Sequence, residues 1–314
     1  MGWSPLSFTP RAVLGLALLF VALTACEEPA DLGFVPESPK LVASANFFPG
    51  ETVRVRITAT QPITGELNAL DITDARVLVM EGNEIIERLT YTPGTDGARG
   101  YYVSRLFKPV VGRSYTLVAS KNGYVPFQDD TSIPQSVAIS DLRIENIDKQ
   151  RVGNLEIYDF SLLLNYDDPE FEENYYDLRI SQIVTPYYTN AAGDTTKLEP
   201  RAKTLQPPGQ SYAANTVRGE ASIIVRDRPA ADGLRVQLQS RLDPSREIMG
   251  HLQAELRTVS ESYFNFKLQY QREGQALPVG FGDLAVNHQS NVPNSQLGIF
   301  AGYNRVIRTF SLHD

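Results

Sequence analysis

Thr52-Val-Arg-Val-Arg-Ile-Thr58 alternates without a break. Val53, Val55 and Ile57 fall on one side and Arg54 and Arg56 on the other, because successive side chains of an extended chain point to opposite faces. This period of two predicts a strand with one face on a core and one in water. The signature recurs on both sides of the stretch. Ala75, Val77 and Val79 alternate ahead of a Gly82-Asn83 turn, and Tyr101–Val103 is a further candidate. Gly112 opens a segment that puts Tyr115, Leu117 and Ala119 on one face. Asn122-Gly123 is a hairpin signal, with Tyr124, Val125 and Phe127 continuing beyond it. Short strands broken by frequent turns predict a β-sandwich. Residues 40–135 read as one immunoglobulin-like or transthyretin-like domain, with Thr131-Ser-Ile-Pro134 as its exit.

A second series fills residues 136–314. Phe160, Leu162 and Leu164 alternate, as do Tyr176, Leu178 and Ile180; Ala221, Ile223 and Val225; Leu234, Val236 and Leu238; and Leu252, Ala254 and Leu256. Val306 to Leu312 predicts a closing strand. Thr189 to Gly209, with Gly193, Pro200, Pro207 and Pro208, reads mainly as an excursion between strands. The fold class expected is mainly β: the N-terminal sandwich followed by a larger antiparallel β-sandwich domain with one short helix. Ser260 is the predicted cap of that helix, Glu261 to Arg272 its body, and Gly274 its end. Tyr263, Phe266 and Tyr270 form one stripe, and Phe264 and Leu268 another. Such stripes serve either as a ligand surface or as the face packed on a sheet.

Outward from the strands, the beginning of the chain has a different character. Arg11 precedes an apolar run from Ala12 to Leu23, too short to span a bilayer. A positive start, a short apolar core and small residues at its end predict a secretory signal over residues 1–25. Leu23, Thr24, Ala25 and Cys26 match the lipobox of bacterial lipoproteins, which implies lipid on the Cys26 sulfur and a mature chain beginning there. Residues 26–39, with Pro29, Gly33, Pro36 and Pro39, read as a flexible tether. Glu27 and Glu28 resemble the acidic export signal of Bacteroidota surface lipoproteins, and read equally as part of a solvated tether.

Loss of Arg11 with the leader moves the formal net charge from −8 to −9. An acidic chain without basic patches argues against nucleic acid and anionic lipid as ligands. Cys26 is the only cysteine, so no disulfide is expected. His251, His288 and His313 lie far apart in sequence, without metal-ligand spacing. No Gly-x-Ser-x-Gly elbow and no phosphate-cradling loop is present. No catalytic residue, metal or cofactor is therefore predicted, although a site assembled from distant residues stays open. Asp167, Asp168, Glu170, Glu172 and Glu173 form the densest acidic cluster, either a calcium loop or a solvated turn. Tyr101-Tyr102, Tyr175-Tyr176 and Tyr187-Tyr188 suggest sugar stacking, but at most one ring of each pair faces a ligand if each pair lies on a strand.

Several motifs occur in a fixed order: Asn165-Tyr-Asp-Asp-Pro169, Glu173-Asn-Tyr-Tyr176, Val225-Arg-Asp227 with Asp232-Gly233, the helix from Ser260, Pro278-Val279, and Leu297-Gly-Ile-Phe-Ala-Gly-Tyr303. With Lys40-Leu41-Val42 and the Gly112 to Leu117 strand, this set resembles the Bacteroidota lipoprotein family catalogued as domain of unknown function 4249. Asn287 to Ser295 departs from the pattern as a longer insertion. The resemblance implies a lipid-anchored outer-membrane protein without enzyme activity, an accessory or ligand-capture component beside a TonB-dependent receptor. A surface adhesion or structural module is the alternative.

Overall fold

The computed structural model describes residues 38–60, 71–95, 98–205, 212–213, 216–218, 222–227, 233–276 and 297–312. Cys26, the leader and the tether up to Glu37 lie outside them. The strands of the first part are β1 (Leu41–Phe47), β2 (Arg54–Ala59), β3 (Arg76–Glu81), β4 (Glu84–Arg88), β5 (Thr90–Thr92), β6 (Tyr101–Val103), β7 (Ser114–Ser120) and β8 (Phe127–Ser132). The second part adds β9 (Ile139–Val152), β10 (Leu155–Tyr166), β11 (Tyr175–Thr189), β12 (Thr195–Lys197), β13 (Arg201–Thr204), β14 (Tyr212–Ala213), β15 (Thr216–Arg218), β16 (Ile223–Arg226), β17 (Leu234–Leu242), β18 (Glu247–Val259), helix α1 (Glu261–Ala276) and β19 (Leu297–Phe310). The chain is mainly β, built as stacked sheets with one helix among the described residues. No described helix is long and apolar enough to cross a membrane.

One sheet runs through the molecule in the order β5-β6-β2-β1-β19-β18-β11-β16-β15-β14, with β12 and β13 also on β11. Two smaller sheets cover it. The sheet β4-β3-β7-β8 closes a core with β1, β2 and β6 around Val53, Val55, Ile57, Val77, Leu117 and Phe127. The sheet β9-β10-β17 closes a second core with β11, β16 and β18 around Phe160, Leu162, Tyr176, Leu178, Val236 and Leu256. The alternation that predicted these strands is the alternation that buries them, since only one face of each points inward.

The link between the sandwiches is β19. Its first half pairs parallel with β1, Val42 opposite Leu297 through Phe47 opposite Gly302. Its second half pairs antiparallel with β18, Val259 opposite Tyr303 through Leu252 opposite Phe310. Along the first half, β8 supplies side chains in place of a neighbouring strand. Asp129 Oδ2 accepts from Phe300 N–H at 3.3 Å and Thr131 Oγ1 from Gly302 N–H at 3.1 Å. Both side chains are buried, so these bonds answer donors that water does not reach. A division of the chain at 135/136 therefore leaves out Leu297–Gly302, which belongs to the first sandwich.

Two further readings need correction. The segment after Thr189 is not simply an excursion: β12 and β13 pair back onto β11 at Thr189–Tyr187 and Val184–Ser181. Their side chains are almost all exposed, so no apolar period marked them. The helix also continues to Ala276, so Gly274 lies inside it. Glycine costs about 1 kcal/mol against alanine in a helix, which weakens a helix without ending it. Its start is where Ser260 puts it: the Ser260 carbonyl accepts from Phe264 N–H at 3.1 Å and Oγ from Tyr263 N–H at 3.3 Å.

A loop of the first sandwich is held by one carboxylate. Glu87 on β4 accepts from the N–H groups of Arg105, Leu106 and Phe107 at 2.7, 3.1 and 2.7 Å. Burial alone would raise the Glu87 carboxyl; the three donors outweigh it and hold the group below the ordinary glutamate range. A lowered folded value stabilises above the unfolded pKa and is lost as pH falls through the folded one. Glu87→Gln is expected to cost about 1 kcal/mol at neutral pH, given the group's solvent access. Urea melts should show that difference shrinking as pH drops below the glutamate range; a pH-independent difference would contradict it.

Candidate functional site

Three of the motifs that carry the family resemblance, Asn165–Pro169, Glu173–Tyr176 and Val225–Asp227, meet with Gly233 at one end of the second sandwich. Asp227, at a positive φ of 55°, donates its N–H to the Asn174 carbonyl at 2.7 Å and accepts the Asn174 N–H on Oδ1 at 2.9 Å. Tyr166 Oη donates to the Asp227 carbonyl at 3.2 Å. Asp168 accepts from Tyr176 Oη. Gly233, at φ +84°, lies against Asn165, whose Oδ1 would sit 2.2 Å from any added Cβ. These residues lock the turns leaving β10 and β16 together. Burial comes first in raising the Tyr166 and Tyr176 hydroxyls above the ordinary range, and the carboxylate of Asp168 adds to it.

The acidic cluster lies on this end. Asp168, Glu170, Glu172 and Glu173 border a depression of about 510 Å³ with Phe171, whose side chain is fully exposed. Glu173 pairs with Arg226, and Asp168 and Asp227 are engaged as above. Among the described residues no group of three or more His, Cys, Asp or Glu is placed to hold a metal ion.

The tyrosine pairs separate as strand geometry requires. Tyr102 is buried and its hydroxyl donates to the Ile72 carbonyl and accepts from Ala75 N–H, both at 2.8 Å, while Tyr101 is exposed. Tyr175 and Tyr176 are both buried, on opposite faces, because α1 covers the outer face of the sheet. Tyr187 donates to the Pro244 carbonyl at 2.6 Å and Tyr188 is exposed. His251 lies 3.2 Å from Gln253 Nε2; His288 and His313 are outside the described residues.

Under α1 the outer face of the sheet carries charge. Asp177 is fully buried; its Oδ2 accepts from Arg179 Nε at 3.0 Å and from Tyr263 Oη at 2.5 Å. Arg179 also donates to Tyr263 Oη at 3.0 Å. Burial pulls the Arg179 guanidinium down, but Asp177 more than offsets it and keeps the charge. Burial pushes the Lys267 ammonium below its usual range, with Asp177 opposing and Arg179 and Arg257 adding to the fall. Beside them Glu255 accepts from Arg257 at 2.7 Å, and Arg257 and Arg305 lie over the rings of Tyr303 and Phe48 at 4.3 and 4.4 Å. The aromatic stripe of α1 is thus packing on this face: Tyr263 and Phe264 are buried with Tyr175, Val259 and Tyr303, while the side chain of Tyr270 lies outside the described residues.

The other end of β11 is basic. Arg201, Lys203, Arg241 and Arg246 border a cavity of about 500 Å³ with Asp243 and Glu247. Sequence reading missed it because the four cations come from two stretches far apart in the chain, 201–203 and 241–246, the first of them read as an excursion. The available signal was the Asp243-Pro-Ser-Arg246 turn after an alternating strand.

A family model described as "Domain of unknown function (DUF4249)" matches residues 27–308. No curated protein matches the chain. Among solved structures, trypsin-activated alpha-2-macroglobulin from Escherichia coli is similar at 12% identity with a TM-score of 0.24. That similarity covers 72% of this chain and only 15% of the larger one. The family match spans nearly the whole sequence, and on that ground the chain belongs to the family described as a domain of unknown function, DUF4249.

Proposed function

We propose that the chain is a cell-envelope binding module, held at the outer membrane by lipid on Cys26, which serves a TonB-dependent uptake system without catalysing a reaction. The observation that carries this reading is Leu23-Thr24-Ala25-Cys26 at the end of a short apolar core, followed by a Pro- and Gly-containing stretch that leads into the β-frame at Leu41. Such a frame suits presentation of loops and clefts to a partner or ligand. Acyl chains contribute about 0.8 kcal/mol per buried methylene, enough for stable anchoring when two or more are attached.

Cys26→Ala is expected to abolish labelling by a radioactive fatty acid and to move the protein from the membrane pellet to the soluble fraction. Retention of the variant in carbonate-washed membranes would overturn the anchor. For the uptake role, a barrel receptor is expected to co-purify with the tagged chain in mild detergent. Its repeated absence, with adhesion changed and uptake intact in a deletion strain, would favour a structural module instead.

A further inference from the structure

We propose that the basic cavity at the far end of β11 binds a small organic anion carrying two or more carboxylates. Binding is measured on the isolated chain, so the inference stands or falls apart from lipid at Cys26 and from any receptor.

The cavity runs against the character of the whole molecule. The chain carries a formal charge of −8, yet four cations gather around one opening with two carboxylates. Each carboxylate has a definite partner. Glu247 is nearly buried and takes Arg201 at 2.9 Å and Lys203. Burial would raise its carboxyl, and the bonds from Lys203 and Arg201 outweigh that and keep it ionised. Asp243 accepts from Ser245 Oγ at 2.6 Å and Ser245 N–H at 3.0 Å, and stands 3.9 Å from Arg246. Arg241 Nε donates to the neutral Gln239 at 2.7 Å, and Arg241 has no ion pair among the described residues. The cluster therefore carries two positive charges in excess of its carboxylates.

The cations also sit on a fixed frame. Tyr187 ties the β17–β18 turn to β11 twice, through its hydroxyl on the Pro244 carbonyl at 2.6 Å and its N–H on the Arg246 carbonyl at 2.7 Å. Arg201 and Lys203 come from β13, Arg241 from β17 and Arg246 from the turn, so positive charge reaches the opening from separate walls. Leu155, Pro186 and Tyr187 add apolar surface to the same lining. Two excess positive charges in a lining that also offers apolar surface fit a ligand whose carboxylates are joined by a short carbon chain. Guanidinium groups match carboxylates in planar, paired geometry. A cavity of about 500 Å³ is of the size that small-molecule sites have.

Tyr175 of β11 aligns with Val259 and Tyr303, where β19 turns into the first sandwich. Tyr187 is at the opposite end of the same strand, remote from the first sandwich and from the acidic cluster.

The test is calorimetry on the purified full chain in a non-ionic detergent at low salt, with citrate and succinate as probes and inorganic phosphate as comparison. Citrate should bind saturably, and Arg246→Ala should weaken it about tenfold, with Arg241→Ala added weakening it further. Both side chains are exposed, so the variants should melt like the parent without anion; Arg54→Ala, on the first sandwich, should bind citrate unchanged. Should a variant misfold, the parent alone suffices: citrate should raise its melting midpoint, and rising salt should erase the gain. Absence of saturable binding, equal binding by the double variant, or phosphate binding as tightly as citrate would each overturn the assignment.

Discussion

Gly298→Ala is expected to destabilise both sandwiches in a single transition, by about 3–5 kcal/mol from backbone strain and forced separation of two strands. Gly298 holds φ at +126°, which L side chains rarely adopt, and an added Cβ would stand 2.0 Å from the Ala43 carbonyl oxygen. That oxygen belongs to β1, the parallel partner of β19. Neither strand has room to yield, because β2 flanks β1 and the buried Asp129 and Thr131 side chains bond β19 from the other side. Gly193→Ala is the matched control: it shares a positive φ of 93° but meets nothing within 4 Å. Chemical denaturation of the two variants separates strain from collision. Equal losses would mean that the close approach of β1 and β19 is not what joins the sandwiches.

Asp177→Ala is expected to cost about 3 kcal/mol, at the lower end of what breaking a buried ion pair costs, since Arg179 keeps about a third of its side chain in contact with solvent. The loss has two sources. Arg179 would be left without its counter-ion and Tyr263 without its acceptor, under the first turns of α1. Tyr263→Phe removes only the hydroxyl and should cost about 1–2 kcal/mol. The pair forms a double-mutant cycle, and a coupling of about 1 kcal/mol or more is expected because the Tyr263 hydroxyl donates directly to Asp177 Oδ2. Additive losses in thermal or urea unfolding would show that the two act independently.

The strands legible in the sequence were those with one buried face. Val53, Val55, Ile57, Leu162, Leu178 and Val236 alternate in the chain and are almost fully buried in the fold. The helix start was legible too, since Ser260 carries its own capping oxygen. What stayed hidden depends on distance or polarity. Parallel pairing of Leu297–Gly302 with β1 leaves no mark in either segment, and a glycine required by a neighbour's carbonyl reads locally like any turn glycine. The exposed β12 and β13 lack the apolar period that reveals a strand. The basic cavity joins β13, β17 and a turn, so only the fold brings its charges together. Charges under α1 were hidden for the same reason: Asp177, Arg257 and Arg305 are neighbours across three strands and scattered along the chain.

The order in which the molecule is made follows from β19. Val42 finds its partner only at Leu297, so β1 waits for every described strand between them to be made before its parallel ladder forms. Until then one edge of the first sandwich lacks its neighbour, a state that invites pairing with other chains. Closure of the first sandwich and completion of the second are thereby one event, and during synthesis β1 emerges well before the strand on which its parallel ladder depends.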